Sequence, residues 1–213
     1  MVSAAMQTRT LQRQARRMPG GNRERIVAGA RRHFFAQGFR SVTMSDLAVE
    51  LGMSKKTLYV HFPGKTALLE AMIDDKLAHI HADLAEIMDT EKIAFPEKLR
   101  RLLAGLRRHT AEIQPAFVRD VRKEAPELFA RIQQGRRKLI HRCFGKLIED
   151  GRKAGAIRSD IPVKLLIEML IGTVDAVLVP ARMEELGITL RTGFAQIISV
   201  FVEGVLVRKR GAK

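Results

Sequence analysis

Three observations predict an all-α chain. Apolar residues recur at helical spacing through most of the 213 residues, prolines and glycines punctuate those segments, and strand-like alternation is absent throughout. There is no internal repeat. The expected order is three short helices followed by a series of longer ones.

Residues 1–21 are polar and basic and close on Pro19-Gly20-Gly21, which breaks regular structure, so they are expected to form a mobile arm. From Asn22, the residues Ile26, Ala30 and Phe34 recur at four-residue spacing until Gly38, as in a helix with one buried stripe and a glycine end. Thr43 is placed to cap a second helix, with Asp46 three residues on as its capping-box partner. Leu47, Ala48 and Leu51 form its apolar face, and Gly52 stops it. Ser54 caps a third short helix over 55–62, ended by Pro63-Gly64, and a long helix is expected over 65–88. Beyond it, Pro96, Pro115, Pro126 and Pro162, with Gly151 and Gly155, separate helical segments near 97–113, 116–123, 127–150, 163–179 and 190–208.

Charge narrows the function. Lys and Arg number 38 against 23 Asp and Glu, a formal net charge of +15, which makes a polyanion the first partner to expect. Residues 1–65 carry 12 basic and 3 acidic side chains, so this first third holds +9 of the total. The single cysteine, Cys143, excludes an internal disulfide and a multi-cysteine zinc site, suits reducing cytosol, and reads as a small core residue. Arg9, Arg13, Arg16 and Arg17 precede no apolar run, so a secretory signal is not expected, although an arginine-rich, acid-free leader resembles a transit peptide superficially. Charged residues interrupt 161–180, and 194–207 is too short to cross a bilayer. A cytoplasmic protein without a membrane span is expected.

A short helix, a glycine-containing turn and a second short helix form the helix-turn-helix pattern, whose second helix enters the major groove of double-stranded DNA. At 100° per residue, Lys55, Lys56, Tyr59 and Val60 share one face of that helix, while Leu58 and Phe62 point toward the helices that hold it. Lysines on such a face bond to guanine edges, which gives specificity, or to phosphates, which gives affinity without it.

The run from Thr43 through Ala48, the run from Leu51 through Lys65, and Ala67-Leu68-Leu69 resemble the signature of the TetR/AcrR family of bacterial transcriptional regulators. Phe34-Phe35-Ala36-Gln37-Gly38-Phe39 precedes them as that signature expects, and the match covers roughly 22–70. The resemblance implies that Thr43, Tyr59, His61 and Lys65 clamp phosphates, while Ser45, Lys55 and Lys56 meet bases. Ser54 and Thr57 complete the DNA-contact set. Lys56 stands where the family most often has a small residue or proline, which adds a cation at the DNA surface.

The expected organisation is therefore a basic arm (1–21), a helix-turn-helix DNA-binding domain (22–68) and a larger helical effector-binding and dimerisation domain (69–213). In 163–179, Lys164, Glu168, Gly172 and Asp175 form one narrow stripe, and apolar residues cover the rest of the circumference. In 194–207, Gln196, Ser199 and Glu203 repeat the pattern. Such helices need burial on two sides, which fits the four-helix homodimer interface that the resemblance implies. A ligand pocket for a small-molecule effector is expected among Phe95, Leu103, Phe117, Phe129 and Met169.

Catalytic and metal chemistry finds no pattern. Pro63-Gly64-Lys65-Thr66 contains a GKT, but the first glycine of a phosphate-binding loop would fall at Tyr59 and no strand precedes it. His79 and His81 are two apart, on different sides of a helix, and no serine lies in a GxSxG setting. No enzyme, cofactor or metal site is expected. A ligand-responsive repressor acting as a dimer on a palindromic operator is the expected function, against the alternatives of a non-specific architectural DNA-binding protein and a helical enzyme or ligand binder with incidental charge.

Overall fold

A computed structural model describes residues 21–90 and 93–207. Apart from Gly21, the expected basic arm lies outside the described residues. The described chain is helical almost throughout, from α1 (Asn22–Gln37), α2 (Met44–Glu50) and α3 (Lys55–His61) to the long α4 (Lys65–Asp89). Then follow α5 (Phe95–Thr110), α6 (Pro115–Glu124), α7 (Pro126–Lys153), α8 (Val163–Val177), α9 (Pro180–Glu185) and α10 (Leu190–Val205).

Local chemistry accounts for the boundaries. α1 ends because Gly38 adopts φ 92°, ψ 158°, a region that side-chain-bearing residues avoid. The Thr43 hydroxyl accepts from Asp46 N at 3.2 Å while the Asp46 carboxylate accepts from Thr43 N at 2.8 Å, so the expected capping box closes the start of α2. Gly52, at φ 61°, makes the turn into α3, where Ser54 Oγ accepts from Thr57 N at 3.0 Å. Proline lies in the first turns of α5, α6 and α7, where its missing N–H costs no helical hydrogen bond.

Two differences from the sequence expectation have simple causes. α9 was not expected, since six residues are too few to show a helical period. The last helix stops at Val205 instead of running to 208, because the chain turns back and pairs Leu206 with Ile157 in an isolated antiparallel bridge.

Two apolar clusters make the core. One joins α4, α5, α7, α8 and α10 through residues such as Leu84, Leu102, Phe144, Leu170 and Ile198. The other holds the first three helices on the start of α4 and includes Ile26, Phe34, Phe35, Leu47, Leu58, Leu68 and Met72. This second cluster does not stop at residue 68. Ile73 of α4, Phe117 and Val121 of α6 and Leu128 of α7 are buried within it, and Phe117 meets Phe35 edge-on with ring centroids 4.7 Å apart. α6 docks on α1, where Gln114 N donates to Phe35 O at 3.0 Å, so the head's core draws on residues beyond 68.

Candidate DNA-binding face and effector cavity

α3 sits at the outer edge of the N-terminal cluster. Leu58 is fully buried and Phe62 nearly so, which anchors the helix, while Lys55, Lys56, Tyr59 and Val60 are exposed on the opposite side. The division of faces follows the sequence reading. Val60, 75% exposed, is the residue that the candidate set left out: an apolar β-branched side chain on a wet, cationic face suits a thymine methyl group. Its signal was its place on the lysine face.

The other candidates fall into two groups. Ser45 is half-buried on α2 and His61 half-buried in the last turn of α3. Thr43, Ser54 and Thr57 already have structural partners: Thr43 Oγ1 donates to Asp46 Oδ2 at 2.7 Å, and the Ser54 and Thr57 hydroxyls lie 2.9 Å apart. The two hydrogen bonds from Thr43 hold the Asp46 carboxyl below its usual range. Lys65, at the start of α4, donates to Arg40 O at 3.3 Å, and its ammonium lies 4.4 Å from the Phe39 ring centroid. Burial lowers its pKa, with Asp120 and Glu124 opposing the shift.

Beneath this head lies a cavity of about 180 Å³ bounded mainly by α4, α5, α6 and α7. Of the five expected pocket residues, Phe117 and Phe129 line it. Phe95, Leu103 and Met169 do not, which corrects that part of the expectation. Phe95 is buried at the far end of the bundle, where it packs close to Gly151. Leu103 packs against the C-terminal core cluster, and Met169 is 55% exposed on the outer side of α8. Apolar character marked all five, but only tertiary packing decides which apolar residues border a void.

The cavity contains polar residues that the sequence reading missed. Lys76, His109 and Arg136 all line it, with Thr110 and Gln133. Lys76 pairs with Glu112, and Arg136 with Asp175. His109 Nε2 lies 3.1 Å from Asp83 Oδ2 but out of line for a hydrogen bond, and burial pushes the pKa of His109 down, with Lys76 adding to the shift. Cys143 also borders the cavity, and burial raises its thiol pKa to about 11, so it stays a neutral thiol. The positions of these bases on helical faces were legible, but not their convergence.

On the far side of the bundle, α8 packs against α10, and both leave apolar side chains in solvent. Leu165 and Met169 on α8 and Val200 on α10 are each more than half exposed. Asp175, on the narrow polar stripe of α8, faces α7, where Arg137 Nε also reaches it at 3.2 Å. No helix among the described residues is long and apolar enough to cross a membrane.

A recognition-type helix with an exposed basic face, joined through a long helix to a bundle with a partly open cavity, defines a helix-turn-helix DNA-binding protein. The model of bacterial regulatory proteins of the tetR family matches residues 26–72. The HTH-type transcriptional regulator UidR of Escherichia coli K12 is 27% identical over 187 residues, spanning 86% of this chain and 92% of that protein. The regulator YvaF of Bacillus subtilis is 36% identical over 83 residues, a match that spans 39% of this chain and 43% of YvaF. Among solved structures, a TetR-family transcriptional regulator from Marinobacter aquaeolei superposes with a TM-score of 0.67 at 17% identity, covering 89% of this chain and 93% of that one. Residues 26–72 thus carry the tetR-type DNA-binding domain, and the chain is a TetR-like DNA-binding transcriptional regulator.

Proposed function

We propose that this regulator is a homodimeric, ligand-responsive repressor that binds a palindromic operator in the cytoplasm and leaves it when a small molecule enters the cavity. The observation that carries this reading is a shared wall: Phe35, Ile73, Phe117 and Val121 belong to the buried core of the head and also line the cavity. A guest that displaces Phe117 pushes on the head core directly. α6 extends the link, because Asp120 accepts from Arg40 N at 2.8 Å in the turn between α1 and α2.

α4 supplies the lever. Its 25 residues span roughly 37 Å at ~1.5 Å per residue, from the head to the bundle. In a dimer, two α3 helices must meet half-sites about 34–36 Å apart, so a tilt of α4 mis-spaces them. A coupling of about 1–3 kcal/mol corresponds to roughly 5–150-fold in operator affinity. The α8–α10 face, with Leu165, Met169 and Val200 exposed, is the proposed dimer surface.

At the DNA, Lys55, Lys56 and Ser45 are proposed to meet bases, with Thr43, Tyr59, His61 and Lys65 on phosphates and Ser54 and Thr57 beside them. The hydroxyls of Thr43, Ser54 and Thr57 retain acceptor lone pairs and their capping bonds in that role. Fluorescence anisotropy at near-physiological salt, with the DNA upstream of the protein's own coding region and a scrambled duplex, tests the reading. A site-specific repressor that regulates itself prefers the upstream DNA by about 10³-fold or more, whereas equal, salt-sensitive binding to both favours an architectural protein.

A further inference from the structure

The cavity wall carries charge of one sign only. Lys76, His109 and Arg136 line it, and among the described residues no carboxylate does. Their partners stand outside the lining and toward solvent, with Glu112 41%, Asp83 40% and Asp175 33% exposed at the side chain. Two of the three bases are also incompletely satisfied. Arg136 Nε and His109 Nε2 are both shut off from solvent without a hydrogen-bond partner, and His109 as a whole is only 8% exposed. Arg136 Nε, buried without an acceptor in an otherwise apolar cavity, is costly and marks a place where an acceptor is missing, and His109 Nε2 has only the misaligned Asp83 carboxylate beside it.

Lys76 and Arg136 come from neighbouring stretches of α4 and α7, and the Lys76 charge is near enough to bear on His109. Leu77, beside Lys76 on α4, is in van der Waals reach of the position of Gly135, beside Arg136 on α7. Across α4, Asp83 lies against His109 of α5. The rest of the wall, including Ile80, Leu106, Phe117, Phe129, Ile140 and Phe194, is apolar.

Resting on the reading of this chamber as an effector site, we propose that its ligand is a small apolar monocarboxylic acid. The carboxylate is received by Arg136 and His109, and an aromatic ring or short alkyl chain fills the space against Phe117, Phe129 and Phe194. A carboxylate offers two acceptor oxygens and matches a guanidinium in geometry as well as charge. A cation is disfavoured by three bases and no lining acid. A dianion is disfavoured because Lys76 and Arg136 each already hold a carboxylate partner, so the wall offers an unfilled N–H donor for one acceptor group rather than excess positive charge. Size sets the hydrocarbon: about 180 Å³ slightly exceeds the roughly 150 Å³ apolar cavity that accommodates benzene.

Titration calorimetry on the full chain tests this with matched pairs, phenylacetate against phenylacetamide and hexanoate against hexanamide. At least one acid is expected to bind ten-fold or more tightly than its amide. Arg136→Gln and His109→Gln should each remove most of that preference, weakening acid binding by ten-fold or more and amide binding by less. Arg136→Lys, which keeps a cation for Asp175, guards against a folding defect and should also lose preference, because it lacks the Nε donor. Equal binding of acid and amide, no binding by either acid, or unchanged acid preference in the variants would overturn the proposal. Anisotropy on the upstream DNA separates the two readings. Acid binding that leaves DNA affinity unchanged supports the ligand class and removes the switch, while specific DNA binding without acid binding removes only the ligand class.

Discussion

The head and the bundle bury their apolar residues in different ways. In the head, the helices close around one cluster in which Phe34, Leu58, Leu68 and Met72 lose essentially all contact with solvent, and what remains outside on α3 is mostly polar or cationic. In the bundle, α8 and α10 bury Leu170, Val174 and Ile198 on one side and leave Leu165, Met169 and Val200 in water on the other. The head is complete as a single chain and exposes chemistry for a polyanion. The bundle leaves these apolar side chains uncovered on the α8–α10 face, the surface proposed for a second copy.

That contrast is broken most severely at the bundle face. Met169→Asp combined with Val200→Asp places charge in the proposed dimer surface, at about 3–5 kcal/mol for each carboxylate left buried and unpaired. Sedimentation equilibrium should show monomers, and operator affinity should fall by more than a hundred-fold with helical content retained. A dimer that survives both changes would place the interface elsewhere.

In the head, Leu58→Ala removes a fully buried side chain that anchors α3, at a cost of about 2–5 kcal/mol. Chemical denaturation measures the loss. DNA binding should weaken while the dimer persists, since Leu58 belongs to the other cluster. Loss of both together would mean that the two cores unfold as one unit through Phe117 and Val121.

The exposed lysines sharpen the comparison without touching stability. Lys55→Ala should cost about 1–3 kcal/mol against the operator and relax discrimination at one base pair if the side chain reads a guanine. A phosphate contact behaves differently, weakening all sequences alike and reducing the salt slope by about one. Running Lys55→Ala and Lys56→Ala against operator and scrambled DNA at several salt concentrations assigns each residue.

The smallest effect is expected from His109. Burial lowers its folded-state pKa below the ordinary histidine value, so the unfolded chain takes up a proton first as pH falls. Its contribution is therefore fully present above about pH 6.5 and is lost as pH drops through the lower folded value. Thermal melts of the native protein and His109→Gln between pH 5 and 8 should converge at the acidic end. Parallel curves across the whole range would show that His109 does not titrate differently in the two states.

Much of the head was legible because its determinants are local. Thr43 with Asp46, Ser54, Gly38 and Gly52 act within a few residues of themselves, and the four-residue spacing of Ile26, Ala30 and Phe34 states which face is buried. The same locality explains why the lysine face of α3 was visible before any coordinates. Phe95, Leu103 and Met169 show the limit. Each is apolar and on a helix, as Phe117 and Phe129 are, yet one packs beside Gly151, one joins the bundle core and one meets solvent.

Sequence alone determined the helical class, the capped helix-turn-helix and the basic face on α3, since hydrogen bonds, backbone preferences and helical period are short-range properties. Tertiary structure decided that α6 belongs to the head's core, that a cavity shares Phe35 and Phe117 with it, and that Lys76, His109 and Arg136 converge there from three helices. Voids and meetings between distant residues depend on how whole helices dock, and no short-range rule contains that information.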